Sequence, residues 1–284
     1  MATVEVAPSA SAIGAEVRGV DARHADEATL LVVRDAVLRY SVVALRGQSL
    51  APADQVAFMH RMYPLRPRVV NDYALPGHPA ITVISNIVEG GRPIGINDAG
   101  ILWHTDTCFL KDPDLFASLY AIEVPPVGGD THFVNAADAY DALPDAERQR
   151  LEGLRVVQSY ARSIERMRDR GLLRRAHSVE HARATMPDVA QPLVKVHPVT
   201  GRRVVYANEA FSSSVEGLGP EEGEALLARL FAAVTSPPYG YTHRWRRGDL
   251  LIWDNISTQH LATFDYGDER RLLHRCSTAG PAAR

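Results

Sequence analysis

The sequence predicts a mainly β protein, a sandwich or jelly roll with flanking helices. Three observations carry that expectation. Beyond residue 80 the chain is a series of short apolar segments rich in Val, Ile, Leu, Phe and Tyr. Gly- and Pro-containing turns separate them, and no repeat or low-complexity tract interrupts them. Helical periodicity is confined to a few stretches around this series.

Taken in order, residues 3–6 and 16–20 read as short strands, and residues 26–40 have the Leu/Val spacing of an amphipathic helix. Residues 41–45 form a β-rich apolar run that stops at Arg46-Gly47, and a second helix is expected over 52–62. The main strand series is expected at 81–85, 102–109, 116–124, 131–134, 193–197, 204–206, 250–253 and 272–277. A highly charged helical insertion is expected around 162–185. A further helix over 221–234 is bounded by Gly219-Pro220 and by Ser236-Pro237-Pro238. No linker divides the chain, so residues 1–284 are expected to form a single domain.

Composition narrows the function classes. With 284 residues and 46% hydrophobic content the chain can bury a large core. Its 31 basic and 34 acidic residues nearly cancel, so no strong field marks a nucleic-acid or membrane binder. Neither a secretory leader nor a membrane-span-length apolar run is present, and a cytoplasmic protein is expected. Cys108 and Cys276 show no zinc or redox spacing, which leaves them as reduced packing residues. Homo-oligomer formation is left open.

The segment Trp103-His104-Thr105-Asp106 carries the most chemistry. On an extended strand His104 and Asp106 point to the same side, where an imidazole and a carboxylate can reach one metal. A second His would complete the facial arrangement that suits Fe(II) and leaves coordination positions open. Gln259-His260, on an apolar segment after Trp253-Asp254-Asn255, supplies the candidate. His132, His197, His243 and His274 compete for the place and read more simply as structural or surface histidines.

Arg271 follows His260 across the turn Tyr266-Gly267-Asp268-Glu269, and a hairpin there would return it to the metal. Period-two alternation places Arg271, Leu273 and Arg275 on one face and Leu272, His274 and Cys276 on the other. A planar guanidinium in a half-buried strand needs a partner, and a small dianionic acid suits it. The alternative is a set of surface salt bridges from Arg270, Arg271 and Arg275 to Asp265, Asp268 and Glu269. For Arg275 an ordering salt bridge with Asp106 or Asp254 is a further alternative to anion recognition.

These blocks, together with Ile94-Gly95-Ile96-Asn97-Asp98-Ala99-Gly100, Pro125-Pro126-Val127-Gly128-Gly129-Asp130-Thr131, His197-Pro198-Val199-Thr200-Gly201, His243-Arg244-Trp245 and Gly248-Asp249, occur in an order that resembles the taurine dioxygenase and 2,4-dichlorophenoxyacetate dioxygenase family. The resemblance runs over most of the chain. It implies a double-stranded β-helix, and an enzyme that uses Fe(II), 2-oxoglutarate and O2 to oxidise a C–H bond, by default through hydroxylation, releasing succinate and CO2. His104, Asp106 and His260 match the iron ligands, and Thr131 and Arg271 match the residues that hold the distal carboxylate of 2-oxoglutarate. Arg275 matches an arginine that meets the acidic group of the prime substrate, and Phe211 matches an aromatic of the substrate pocket. The implied partner is a small organic molecule bearing a carboxylate or other acidic group.

Two departures stand out. Ile256 stands where the family often has Arg after Trp-Asp-Asn. The segment 61–77 has no His for a sulfonate and offers Arg66, Arg68, Asn71 and Tyr73 instead, which speaks against taurine itself. Desaturation would use the same site residues. A noncatalytic 2-oxoglutarate or metal sensor and a zinc hydrolase are the rival readings from other classes.

Overall fold

The structure is a computed structural model that describes residues 3–66, 73–174, 177–236 and 240–280. Its frame is an eight-stranded sheet in the spatial order Glu5–Pro8, Ala15–Arg18, Val42–Leu45, Leu250–Asp254, Phe116–Glu123, Leu272–Ser277, His78–Ser85 and Ala74–Leu75. All pairings are antiparallel except that of Ala15–Arg18 with Val42–Leu45. A smaller antiparallel sheet of Gly240–His243, Thr131–Asn135 and Thr258–Ala262 packs against it.

The central strands Val42–Leu45 and Leu250–Asp254 are buried on both faces, which is why they read as unbroken apolar runs rather than alternating ones. Val43, Leu45, Leu250, Ile252 and Cys276 face a layer completed by the helices Glu27–Tyr40 and Pro52–Met62. Val42, Ala44, Leu251, Trp253 and Leu273 face the smaller sheet, where Phe133 meets Trp253 at 5.5 Å between ring centroids. Full burial of each Val, Leu, Ile or Phe among them stabilises by about 1.5–3 kcal/mol. The first helix begins at Asp26, whose carboxylate accepts from the Thr29 N–H at 2.8 Å.

Helices take a share comparable to strands, seven of them among the described residues, so the architecture is mixed α/β and the expectation of a mainly β protein is corrected. The short helices Ala136–Asp141 and Asp145–Leu151 lie where no helix was expected. Neither is long enough to display a helical period. The charged insertion expected at 162–185 is two helices, Tyr160–Asp169 and Val179–Thr185. It is tied to the loop before the metal motif by His177 Nε2 and Asp98 Oδ2 at 2.9 Å. Arg68 and Asn71, and the helix stop at Pro237-Pro238, lie outside the described residues. Among the described residues no helix is long and apolar enough to cross a membrane.

Two local expectations fail. Residues 102–109 do not form a strand: His104 makes an isolated bridge and a turn follows, with Thr107 at φ 54. Residues 263–271 do not close a hairpin either. Thr258–Ala262 belongs to the smaller sheet and Leu272–Ser277 to the larger one, so the link crosses from sheet to sheet. Arg271 nevertheless arrives at the same cavity as His260.

Candidate active site

The two sheets leave between them a cavity of about 50 Å³ that His104, Asp106, His260, Thr131, Arg271 and Arg275 all line. A wider depression of about 540 Å³, beside Gln48, Tyr120 and His274, opens on the other face of the large sheet and contains none of these groups.

His104 and His260 are brought together by backbone pairing. The His104 N–H donates to the His260 carbonyl at 3.1 Å, and the His260 N–H donates back to the His104 carbonyl at 2.8 Å. Their rings lie 4.0 Å apart. His104 Nδ1 is 2.9 Å from the Leu102 carbonyl, an arrangement that places the ring hydrogen on Nδ1 and leaves Nε2 as a lone-pair donor. His260 is held by stacking on Phe133, with centroids 5.5 Å apart, and its Nδ1 has no hydrogen-bond partner. Burial, with a smaller push from His104, keeps His260 well below the usual imidazole range and so neutral, the form a metal requires.

Asp106 reaches the same point from the turn. Its Oδ1 lies 3.5 Å from His104 Nε2 and its Oδ2 lies 3.9 Å from His260 Nε2. The three ligating atoms fall within 4.8 Å of one another. Asn255 fixes this turn: its Oδ1 accepts from the Asp106 N–H at 3.0 Å, and its Nδ2 donates to the carbonyls of Asp106 and Asp114 at 2.9 Å each. Burial pushes the Asp106 carboxyl upward, but Arg275 and the two histidines together hold it below the usual carboxylate range.

Arg275 is the most heavily paired side chain of the site. It meets Asp106 Oδ2 at 3.0 Å and Asp114 Oδ2 at 3.1 Å, and the other oxygen of Asp114 accepts from Arg66. Burial works against its charge, yet the two carboxylates raise its affinity for the proton. Asp254 instead pairs with His197 at 3.1 Å.

Arg271 is the opposite case. Only 4% exposed, it has neither a carboxylate partner nor an acceptor for its Nε among the described residues. Burial pushes its guanidinium downward from its ordinary range. Leaving such a donor unsatisfied is costly, and an anion in the cavity would offset that cost. The surface salt bridges weighed for this trio, to Asp265, Asp268 and Glu269, do not form among the described residues; Arg270 pairs instead with Glu123 at 2.7 Å. Gly129 brings the chain close to Arg271. At φ +68, a Cβ there would meet Pro125 Cγ and Tyr266 Cδ1 at 3.1 Å and Arg271 Nε at 3.4 Å. Gly129→Ala is expected to cost about 1–2 kcal/mol of stability from the left-handed backbone alone, measured by denaturant unfolding. It is also expected to weaken anion binding at Arg271.

Phe211 stands edge-on to His104, with centroids 6.1 Å apart, and continues into Phe109 at 4.8 Å and Tyr160 at 6.3 Å. Phe109 and Tyr160 carry no signal of this role in the sequence, because neither sits in a polar motif: Phe109 ends the expected strand 102–109 and Tyr160 precedes the expected insertion. The other histidines are engaged elsewhere. His132 contacts Thr242 Oγ1 at 2.9 Å, His243 pairs with Asp249 at 3.1 Å, and His274 lies on the far face with burial pushing it down to about 4. Both cysteines are buried and burial raises each to about 12, which leaves them as thiols. Ile256 packs into the apolar layer beneath the helices, where an arginine would need a partner.

Two imidazoles, a carboxylate and a buried guanidinium without a carboxylate partner among the described residues fit a divalent metal with a dicarboxylate beside it. The profile of the family described as taurine catabolism dioxygenase TauD, TfdA family matches residues 5–277. The chain belongs to the TauD/TfdA family. It is 36% identical over 252 residues to the alpha-ketoglutarate-dependent 2,4-dichlorophenoxyacetate dioxygenase of Cupriavidus pinatubonensis, covering 85% of each chain. It is 33% identical over 270 residues to pentalenolactone F synthase of Streptomyces arenae, covering 92% of this chain and 89% of the relative. The crystal structure of AAD-2 in complex with Mn(II) and N-oxalylglycine superposes with a TM-score of 0.81 at 26% identity, covering 98% of both chains. This TauD/TfdA member is an alpha-ketoglutarate-dependent dioxygenase with its metal site at His104, Asp106 and His260, and the family implies Fe(II).

Proposed function

We propose that the protein hydroxylates a C–H bond of a small organic acid, with Arg271 and Thr131 holding the distal carboxylate of 2-oxoglutarate. The observation that carries this reading is the buried Arg271 guanidinium without a carboxylate, in one cavity with the metal-ligating trio. When bound, Fe(II) and 2-oxoglutarate supply the oxidising power, by O2-dependent decarboxylation to succinate and CO2. The chain's own residues hold the cosubstrate, orient the substrate and exclude water. We read residues 1–284 as one cytoplasmic domain whose two packed sheets form a double-stranded β-helix.

Charge supports an acidic substrate. Fe(II) is balanced by Asp106 and one cosubstrate carboxylate, and Arg271 by the other. Arg275 and Arg66 then share Asp114 alone, which leaves one positive charge among these groups. A single anionic group near the exposed edge of Arg275 would compensate it, while Phe211, Phe109 and Tyr160 offer an apolar wall for the rest of the molecule.

Oxygen-dependent succinate formation with Fe(II), screened over small carboxylates, sulfonates and biosynthetic acids, tests the reaction. A compound turned over without oxygen or 2-oxoglutarate would sink it. For the acid, Arg275→Gln is expected to weaken binding of the stimulating substrate while 2-oxoglutarate affinity and slow uncoupled decarboxylation persist. Parallel losses of metal, cosubstrate and substrate would assign Arg275 to holding Asp106 in place.

A further inference from the structure

The sequence block His243-Arg244-Trp245 with Gly248-Asp249 has no part in the site described so far, yet it ends against Thr131. The Trp245 indole N–H donates to Thr131 Oγ1 at 3.0 Å, and both side chains are buried. A threonine hydroxyl has one hydrogen to give and two lone pairs to receive with. The indole occupies a lone pair, so the Thr131 hydrogen must point away from Trp245. Among the described residues nothing accepts it. Arg271 Nε, lining the same cavity, also lacks an acceptor.

Trp245 is itself held on both sides. His243 lies opposite Thr131 in the register of the small sheet, and its ring stands edge-on to Trp245 with centroids 4.5 Å apart. The His243 ring is fixed by Asp249 Oδ2 on Nε2 and by Tyr241 Oη on Nδ1, each at 3.1 Å. Asp249 also receives the Arg246 N–H at 2.8 Å and the Arg46 guanidinium, which pins the turn that follows Trp245. His243 and Asp249 are fully buried. So much fixed hydrogen bonding behind one hydroxyl has a use only if the direction of that hydroxyl matters.

We propose that Trp245 is a positioning residue for the cosubstrate: its indole N–H fixes the rotor of Thr131 so that the hydroxyl hydrogen is aimed at the distal carboxylate beside Arg271. Without the indole the hydroxyl is free to rotate and must be reoriented on binding. With it, the accepted hydrogen bond also polarises the O–H and strengthens the bond it gives. The inference rests on the assignment of Thr131 and Arg271 to that carboxylate.

The test is a double-mutant cycle read by calorimetric binding of 2-oxoglutarate and of N-oxalylglycine to the Mn(II)-loaded enzyme without oxygen. Trp245→Phe is expected to weaken both ligands by about fivefold, the size of one neutral hydrogen bond. Thr131→Val is expected to weaken them at least as much, and the double variant no further than Thr131→Val alone. Mn(II) affinity should be the same in all four proteins. 2-Oxobutyrate, which lacks the distal carboxylate, should bind equally to the parent and to Trp245→Phe. An unchanged affinity in Trp245→Phe, or the same loss in the Thr131→Val background or toward 2-oxobutyrate, overturns the proposal while leaving the cosubstrate assignment intact. If Thr131→Val binds 2-oxoglutarate as the parent does, the assignment of Thr131 falls and the proposal with it. Should Trp245→Phe fail to fold, biosynthetic replacement of tryptophan by benzothienylalanine removes the N–H at constant ring shape. Run in the parent and Thr131→Val backgrounds, it is judged by the same outcomes.

Discussion

His104→Ala, Asp106→Ala and His260→Ala are each expected to abolish 2-oxoglutarate turnover and to lose tight metal binding. Loss of a partner that merely orients a ligand costs about 10–100-fold in metal affinity, and loss of the ligand itself should exceed that. Asp106→Ala carries a second cost, because Arg275 would then keep Asp114 as its one partner among the described carboxylates, and that carboxylate is shared with Arg66. His132→Ala and His274→Ala serve as controls: one ring lies on the surface beside Thr242 and the other on the far face of the sheet. Metal titration of the five variants decides the matter. Iron retained in His260→Ala but lost in His132→Ala would reassign the third ligand.

Arg271→Ala is expected to raise the 2-oxoglutarate requirement by roughly 10- to 150-fold, the equivalent of about 1.5–3 kcal/mol for a charge-assisted hydrogen bond. Metal affinity should hardly move, because Arg271 touches none of the three ligands. The sign for the empty protein is opposite. The guanidinium is buried without an acceptor, so its removal should leave the metal-free, cosubstrate-free protein as stable as the parent or more so. Thermal unfolding with and without 2-oxoglutarate reads both effects. A variant destabilised in both conditions, with unchanged cosubstrate affinity, would make Arg271 a structural residue.

Much of this site is legible in the sequence because its chemistry depends on residue types that are costly elsewhere. A histidine and an aspartate two positions apart, a late histidine and a strand arginine each need a reason to be buried, and the family resemblance supplied one for all four. The elements that followed from periodicity, such as the helices Glu27–Tyr40 and Pro220–Thr235 and the strand Leu272–Ser277, lie within two residues of their expected bounds. What failed was geometry that periodicity does not encode. An extended 102–109 segment and a turn through Thr107 have the same composition, and the turn is held by contacts such as the Asn255 side chain, supplied from far along the chain. The link after His260 contains the residues of a hairpin, yet the apolar demands of two different sheets pull its ends apart. Asp114 carries no signal of its role, because the polar stretch Lys111-Asp112-Pro113-Asp114 reads as a solvated loop. It is fully buried and bridges two arginines.

The reciprocal backbone bridge between His104 and His260 makes the metal a late passenger in the life of the chain. His104 and Asp106 are synthesised long before His260, and the strand that carries His260 has no place to dock until the small sheet has formed around Thr131–Asn135. A chain still emerging from the ribosome therefore holds at most a bidentate fragment, too weak to retain iron. Once closed, the bridge turns metal affinity into a report on whether the first and last parts of the chain have found each other. Iron then rewards the completed topology rather than any local segment, and its concentration sets how firmly the ends stay clasped.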